Sequence, residues 1–288
     1  MSKTIDTLIK DIHVLFDPNY QHDFDPENVQ EFGQRVANMV VQRMSEVRGK
    51  PSLRMSNLGK DNRKLWMEIN HPELAEPMPP SVYVKFLYGD LLEELLLFFS
   101  KEAGHEVTGE QDTMEINGVI GHRDAIIDGV LVDVKSASSF SFKRFKSGDL
   151  AEDDKFGYID QINQYLYASE NDELVKEKDI AAFFVIDKTT GNMCIDKHAS
   201  NGKDYSKVVD EKRAMLAGPM PELCETPVAE GKAGNEKLSV KCSYCAFKKT
   251  CYPNIRTFLY SYGPVFLTKV VKEPRVMEAV DDGQSSET

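Results

Sequence analysis

Two groups of residues in this chain have the types and spacing to do chemistry. The first lies between Gly121 and Lys135, where Asp124, Asp133 and Lys135 surround an Asp128-Gly129 dipeptide. Alternating apolar residues flank that dipeptide, the pattern of a two-residue type I′ hairpin. Such a turn pairs Ile127 with Val130, Ile126 with Leu131, Ala125 with Val132, Asp124 with Asp133 and His122 with Lys135. Two carboxylates then face each other with Cβ atoms ~5 Å apart, and Lys135 shares their face. Opposed like charges destabilise a sheet. A divalent cation held between them offsets that cost, and oxygen-only donors select a hard ion such as Mg²⁺ or Mn²⁺. A lysine beside such a site can orient a water or stabilise charge developing on a phosphate. The plain alternative is a solvated strand face, which makes no use of the cross-strand register.

The second group is Cys242, Cys245 and Cys251, spaced C-x₂-C-x₅-C. Three thiolates are one short of a tetrahedral zinc site or a four-iron cluster, so a fourth donor must come from elsewhere. Cys224, Asp61 and a histidine are the candidates. Lys241, Lys248, Lys249 and Arg256 make the segment basic, which suits a phosphate backbone. The fifth cysteine, Cys194, sits in a strand-like stretch and reads as an inert core residue. The odd count and the absence of an export-signal pattern favour a reducing compartment over disulfides.

The elements that must position these residues follow from periodicity. Ile5, Leu8, Ile9, Ile12 and Leu15 have helical spacing. Asp25-Pro26-Glu27 reads as a helix start, with Val29, Phe32, Val36, Met39 and Val40 as a core-facing stripe running to about Val47. Val82 to Phe99 is a long apolar helix carrying Glu93 and Glu94. Either carboxylate, aimed at the hairpin, would complete a three-carboxylate site. Ser136 to Gly148 interleaves Lys143, Arg144 and Lys146 with three phenylalanines. It reads as a loop that could contact single-stranded nucleic acid, or equally as a basic loop whose rings pack on the core. Tyr158 to Ala168 is a helix with Gln161 and Tyr165 on one face. Ala181 to Ile186 is a continuous apolar run, the mark of a strand buried on both faces, and Met193 to His198 can pair with it. Arg63 can reach a phosphate or stay solvated.

The 288 residues suffice for one large domain or two small ones, and 41% hydrophobic content allows a real core. No apolar run is long enough to cross a membrane. The net charge of −12 argues against a broadly nucleic-acid-coating surface but leaves room for a local basic groove.

Taken together, these residues resemble the PD-(D/E)XK nucleases, in particular the RecB-like group that includes CRISPR-associated and phage exonucleases with an iron–sulfur cluster. The resemblance spans roughly residues 52–256. The family pattern is a Gly-x-x-x-His helix, an Asp, an Asp/Glu-x-Lys and a Gln-x-x-x-Tyr. Here these are Gly89 with Glu93, Asp124, Asp133-Val134-Lys135, and Gln161 with Tyr165. Glu93 stands where His is usual, and related branches carry Glu there. Cluster-bearing members have one early and three late cysteines. The late group matches Cys242, Cys245 and Cys251, and Asp61 occupies the early position.

The resemblance implies an α/β fold with a restriction-endonuclease-like core, a central mixed β-sheet flanked by helices. The expected organisation is a helical region over 1–80, the nuclease core over 81–217, a cysteine-bearing segment over 218–262 and a tail over 263–288 with a disordered end. It further implies a DNA exonuclease of phage replication, recombination or host-DNA degradation. In that reading Asp124, Asp133, the Val134 carbonyl and Glu93 hold Mg²⁺ or Mn²⁺. Lys135 positions the attacking water, and Gln161 and Tyr165 steady Lys135 or the DNA backbone. Cys242, Cys245, Cys251 and Asp61 hold a 4Fe-4S cluster or, alternatively, Zn²⁺. Arg63, Lys143, Arg144 and Lys146 contact DNA ends or single strands, replication or recombination proteins are potential partners, and the setting is the cytoplasm of a bacterial host. Two other readings remain: a non-catalytic module for DNA ends or single strands, stapled by a metal–thiolate centre, and a redox-responsive iron–sulfur regulator.

Overall fold

A computed structural model describes residues 3–45, 49–152, 154 and 156–279. The chain opens with helices α1 (Leu8–Val14), α2 (Pro26–Ser45), α3 (Asn62–Asn70) and the long α4 (Pro80–Glu102). Strands β1 (Val107–Thr108), β2 (Thr113–Ile116), β3 (Val119–His122), β4 (Ala125–Ile127) and β5 (Val130–Ala137) come next. Helices α5 (Ser139–Ser147) and α6 (Tyr158–Ala168) lead to β6 (Ile180–Asp187), β7 (Met193–Ala199) and α7 (Tyr205–Ala217). The chain continues through β8 (Val228–Glu230), β9 (Asn235–Lys237), the one-turn helices α8 (Val240–Ser243) and α9 (Lys248–Cys251), and the pair β10 (Arg256–Tyr260) and β11 (Gly263–Lys269). Two compact units result. One joins the chain up to Gly59 with Pro79–Arg213; the other joins Lys60–Met78 with the chain from Ala214 onward.

The first unit is built on a mixed five-stranded sheet in the order β1-β4-β5-β6-β7. β5 and β6 run parallel, and the other pairs are antiparallel. A parallel pair needs a crossover, which α5 and α6 supply. The apolar run of β6 is buried at every position after Ile180, because both sheet faces are covered. On one face Ile127, Val132 and Phe184 pack against Leu8 and Ile12 of α1 and Leu96 and Leu97 of α4. On the other, Leu131, Phe183 and Val185 pack against Phe142 and Phe145 of α5 and Ile162 of α6. Phe183 and Phe184 are fully enclosed, each stabilising the unit by ~1.5–3 kcal/mol. This is the mixed sheet flanked by helices that the resemblance implies.

Two local expectations need correction. The stripe on α2 is only half-buried: Phe32, Val36, Met39 and Val40 are partly covered, no residue of the helix is fully buried and Val29 is 45% exposed. Polar and aromatic contacts to α4 hold it instead, through Arg35–Glu94 at 2.6 Å, Arg43–Asp90 at 2.5 Å and Phe32 stacked on Phe98. Its expected end near Val47 lies outside the described residues. The stretch after Lys135 is a helix, α5, rather than a loop. The Ser138 hydroxyl accepts from the Ser141 amide at 3.3 Å at its start, and Gly148 closes it in the left-handed region at φ 77°. Phe142 and Phe145, three apart on one face, are buried, while Phe140 is 71% exposed beneath Arg144.

The second unit carries a four-stranded antiparallel sheet, β10-β11-β9-β8, together with α3, α8 and α9. The expected division into a helical region over 1–80 and a tail from 263 does not hold. Residues 60–78 cluster with the C-terminal unit, and Gly263–Lys269 is a strand whose Val265 and Leu267 alternate inward against Phe258. The following segment is tied down as far as it is described. The Leu259 amide donates to the Met277 carbonyl at 2.8 Å, and Arg256 pairs with Glu273 and Glu278. Residues 280–288, expected to be disordered, lie outside the described residues. Among the described residues no helix is long and apolar enough to cross a membrane.

Candidate functional site

The β4–β5 turn has the predicted geometry. Asp128 and Gly129 take φ values of 51° and 81°, both in the left-handed region that a type I′ turn requires. Asp128 tolerates this because its carboxylate is engaged, accepting from the Glu106 amide at 3.1 Å and lying 2.6 Å from His105 Nδ1. The ladder beyond the turn pairs Ala125 with Val132, Ile126 with Leu131 and Ile127 with Val130.

The ladder then stops, and the predicted pairing of Asp124 with Asp133 and His122 with Lys135 is not formed. His122 instead faces Thr113 in the separate β2–β3 hairpin. The cause is Arg123, which is buried and anchored sideways. Its guanidinium reaches Asp112 at 2.5 Å, Asp172, and the Gly109 carbonyl at 3.1 Å. Satisfying that buried charge bends the chain at 123–124 and leaves the Val134 amide without a strand partner. The Asp124 carboxylate takes that place, accepting from Val134 N–H at 2.8 Å. Asp124 therefore reaches the Asp133 side of the hairpin through its side chain, not through the ladder.

The electrostatics show the convergence. Burial, then the Asp133 charge, push the Asp124 carboxyl up to about 7. Glu93 on α4 is pushed up to about 9 by burial, then by Asp124 and Asp133. Lys135 moves upward despite the opposing effect of burial, because Asp133 and then Asp124 favour its charge. Its Nζ lies 2.5 Å from Asp133 Oδ2. That buried oxygen nevertheless makes no properly aligned hydrogen bond. Three carboxylates thus compete for one cation, with an acceptor oxygen left over.

The donor chemistry suits a hard divalent ion. As they stand, no three His, Cys, Asp or Glu side chains among the described residues are grouped tightly enough to hold one. Of the remaining predicted residues, Tyr165 is drawn into the same field. Burial, then Asp133 and Asp124, push its hydroxyl up to about 12. Gln161 lies one turn earlier on α6 and is half-buried. Val134 contributes its amide to Asp124.

Several residues of this site were not singled out by sequence reasoning. Lys135 Nζ sits 5.3 Å from the centroid of the Tyr158 ring. Tyr158 precedes Gln161 and Tyr165 by three and seven residues, a helical spacing that could have marked it. Gln111 joins two parts of the site, its side chain donating to Glu93 at 2.7 Å and its amide to the Asp124 carbonyl at 3.2 Å. Asp90 adds to the field on both Glu93 and Asp124. Neither Gln111 nor Asp90 belongs to a local pattern.

Among the predicted DNA contacts, Lys143 and Lys146 are exposed and Arg144 covers the Phe140 ring. Arg63 is placed differently. It lies in the second unit, donating to the Pro221 carbonyl at 2.7 Å and from Nε to Cys251 Sγ at 3.4 Å. It borders a cavity of about 20 Å³ onto which Cys224, Cys242, Cys245 and Cys251 all open. Asp61 does not line that cavity; its carboxylate lies 3.8 Å from Lys241 Nζ. Cys194 is buried in the first unit, where burial pushes its thiol up to about 11.

No protein-family model matches the chain, and no curated protein matches it. A solved structure described as the crystal structure of SSO0001 is similar, with a TM-score of 0.41 and 14% identity over 77% of this chain and 96% of that one. A likeness of that degree bears on no question of activity.

Proposed function

We propose that the chain is a nuclease dependent on Mg²⁺ or Mn²⁺ that hydrolyses DNA phosphodiesters, acting as an exonuclease of the RecB-like PD-(D/E)XK kind. The observation that carries this reading is the mutual field of Glu93, Asp124 and Asp133 around Lys135, including the misaligned buried oxygen of Asp133. A structural salt bridge needs one carboxylate per lysine. Here one buried and two half-buried carboxylates share one ammonium, an arrangement that a further cation would stabilise in the ionised state.

Glu93, Asp124 and Asp133 would hold the ion, with the Val134 carbonyl as a further donor. When bound, it supplies Lewis acidity toward the phosphate and makes a water more acidic. The Val134 amide and Gln111 orient Asp124 and Glu93, and uptake of the ion would draw the carboxylates closer together. Lys135 is held protonated by its neighbours and therefore serves as a donor: it orients the attacking water and stabilises charge on the phosphate. The Tyr158 ring covers one side of the ammonium. Gln161 would steady the DNA backbone, and Lys143 and Lys146, exposed on α5, would contact phosphates.

The test uses end-labelled linear DNA beside a closed circle, with Mg²⁺, Mn²⁺ or EDTA. The expected result is loss of the linear form alone, abolished by EDTA and by Lys135→Ala. Cleavage that survives Lys135→Ala overturns the mechanism. Salt-sensitive binding without cleavage in either metal replaces it with a non-catalytic DNA-binding module.

A further inference from the structure

Phe156 is an apolar ring held in solvent by an ordered turn. It is 66% exposed, although phenylalanine is among the residues most often found inside. The turn around it is well braced. The Asp154 carboxylate accepts from the Tyr158 amide at 3.0 Å and from the Ile159 amide at 2.8 Å. The two amides that begin α6 are therefore already occupied, and the helix end does not call for an anion. Gly157 follows Phe156 at φ 72°, and a Cβ there would stand 3.4 Å from the Gly59 carbonyl oxygen. Both the sign of φ and the close backbone approach favour glycine. The local sequence thus fixes where the Phe156 ring stands without burying it.

The ring also stands beside the candidate site. Its centroid lies 5.6 Å from that of Tyr158, with the two planes 32° apart. Tyr158 lies 5.3 Å from Lys135 Nζ and is backed by Phe145 at 6.0 Å and Phe183 at 6.3 Å. A short line of rings therefore runs from solvent to the ammonium beside Asp133. Phe140 on α5 is exposed too, but Arg144 stands 5.1 Å over its ring. A nucleobase suits the outer face of Phe156. It is flat, each of the four bases offers a π-face, and stacking on an aromatic side chain tolerates any sequence. It is also tethered to a phosphate that the Lys135 ammonium can meet. Within a duplex those faces are covered by the neighbouring base pairs, so only an unpaired or splayed base can stack there.

We propose that Phe156 is a stacking platform for one base of a single strand, or of a frayed end, entering the Lys135 site, and that it sets a preference for unpaired DNA. The identity of the ligand rests on the nuclease reading. The base extends the Tyr158–Phe156 pair by one ring and holds its phosphate toward Lys135. Stacking needs no metal, so this contact forms before any ion is taken up and can be measured without turnover.

The test measures binding in EDTA on the full-length chain, by anisotropy of an end-labelled oligothymidylate and of a blunt hairpin duplex carrying the same label. Wild type is expected to bind the single strand more tightly than the duplex. Phe156→Ala should lower single-strand affinity at least ~5-fold, the low end of what one base on one ring contributes, and leave duplex affinity unchanged. Phe156→Trp should restore single-strand affinity. The emission of its indole, separated from that of Trp66 by subtracting the wild-type signal, should be quenched by the oligothymidylate and not by an abasic strand of equal length. Because Phe156 is exposed, both variants should melt with wild type. Wild type that binds no single strand or favours the duplex, Phe156→Ala that binds as wild type, equal losses on both ligands, or an indole insensitive to the oligothymidylate overturns the proposal. The expected binding in a chain that never cleaves DNA sinks the nuclease reading and leaves the platform standing. Cleavage by wild type with unaltered single-strand binding in Phe156→Ala does the reverse.

Discussion

Replacing Asp124 with Asn should remove activity while making the metal-free protein more stable above neutral pH. The Asp124 carboxyl stands at about 7 in the folded chain against an ordinary value of 3.8. A folded-state value above the unfolded one means that the folded protein holds the proton more tightly. The associated stability is fully present below pH 3.8 and is lost as pH rises through 7. At ~1.4 kcal/mol per pH decade between those values, ionised Asp124 costs up to ~4 kcal/mol at pH 8. The side chain is half-buried and solvent screens part of its charge, so ~2 kcal/mol is the working figure. Asn keeps an oxygen for the Val134 amide, so the hydrogen bond at 2.8 Å survives while the charge does not. The assay is thermal unfolding in EDTA at pH 5 and pH 8. Asp124→Asn should melt about 4–8 °C above wild type at pH 8 and only about 1.5–3 °C above it at pH 5, where little more than a third of the cost is present. Added Mg²⁺ should raise wild type at pH 8 and leave the variant unmoved. An equal difference between the two proteins at both pH values, or a variant less stable at pH 8, would refute the charge argument.

Two further substitutions probe the supports of the site. A Cβ on Gly121 would stand 2.7 Å from Met55 Cβ and 2.8 Å from Tyr165 Oη. Gly121→Ala should therefore cost ~1–3 kcal/mol in chemical denaturation and lower turnover by displacing Tyr165. Gly89→Ala is the contrast: its Cβ meets nothing nearer than Ser136 Oγ at 3.8 Å, so this mid-helix change should be neutral or stabilising by up to ~1 kcal/mol. Arg123→Ala leaves Asp112 and Asp172 without their shared cation and should cost ~1–3 kcal/mol. It should also weaken Mg²⁺ binding, read by calorimetry, because the bend that aims Asp124 at Asp133 depends on Arg123.

What was legible in the sequence divides by the range of the forces involved. Asp128-Gly129 and the alternation around it are local, and the turn and the three ladder pairs beyond it follow from them. The continuous apolar run of β6 likewise announces burial on both faces. The break at Arg123–Asp124 is invisible locally, because it is imposed by Asp172, 49 residues further along the chain. Ser138 and Gly148 are local signals for the α5 helix, whereas the interleaved basic and aromatic residues carry no information on the backbone. Charge and ring content describe a surface, whereas caps and the spacing of Phe142 and Phe145 decide the backbone.

Cys224 shows the same limit from the other side. Its distance from Cys242 exceeds any short ligand motif, and only the β8–β9 pairing, made of weakly patterned residues, closes that gap. Asp61 occupies the early position of the family pattern, but order along a chain does not fix which side chain enters a cavity. The residue types are legible at both places, carboxylates in one unit and thiols in the other. The geometry that makes each set usable rests on a distant partner, Arg123 with its two carboxylates in one unit and a returning hairpin in the other. Substitutions at those supports should therefore disable a site without touching any residue that would bind the metal.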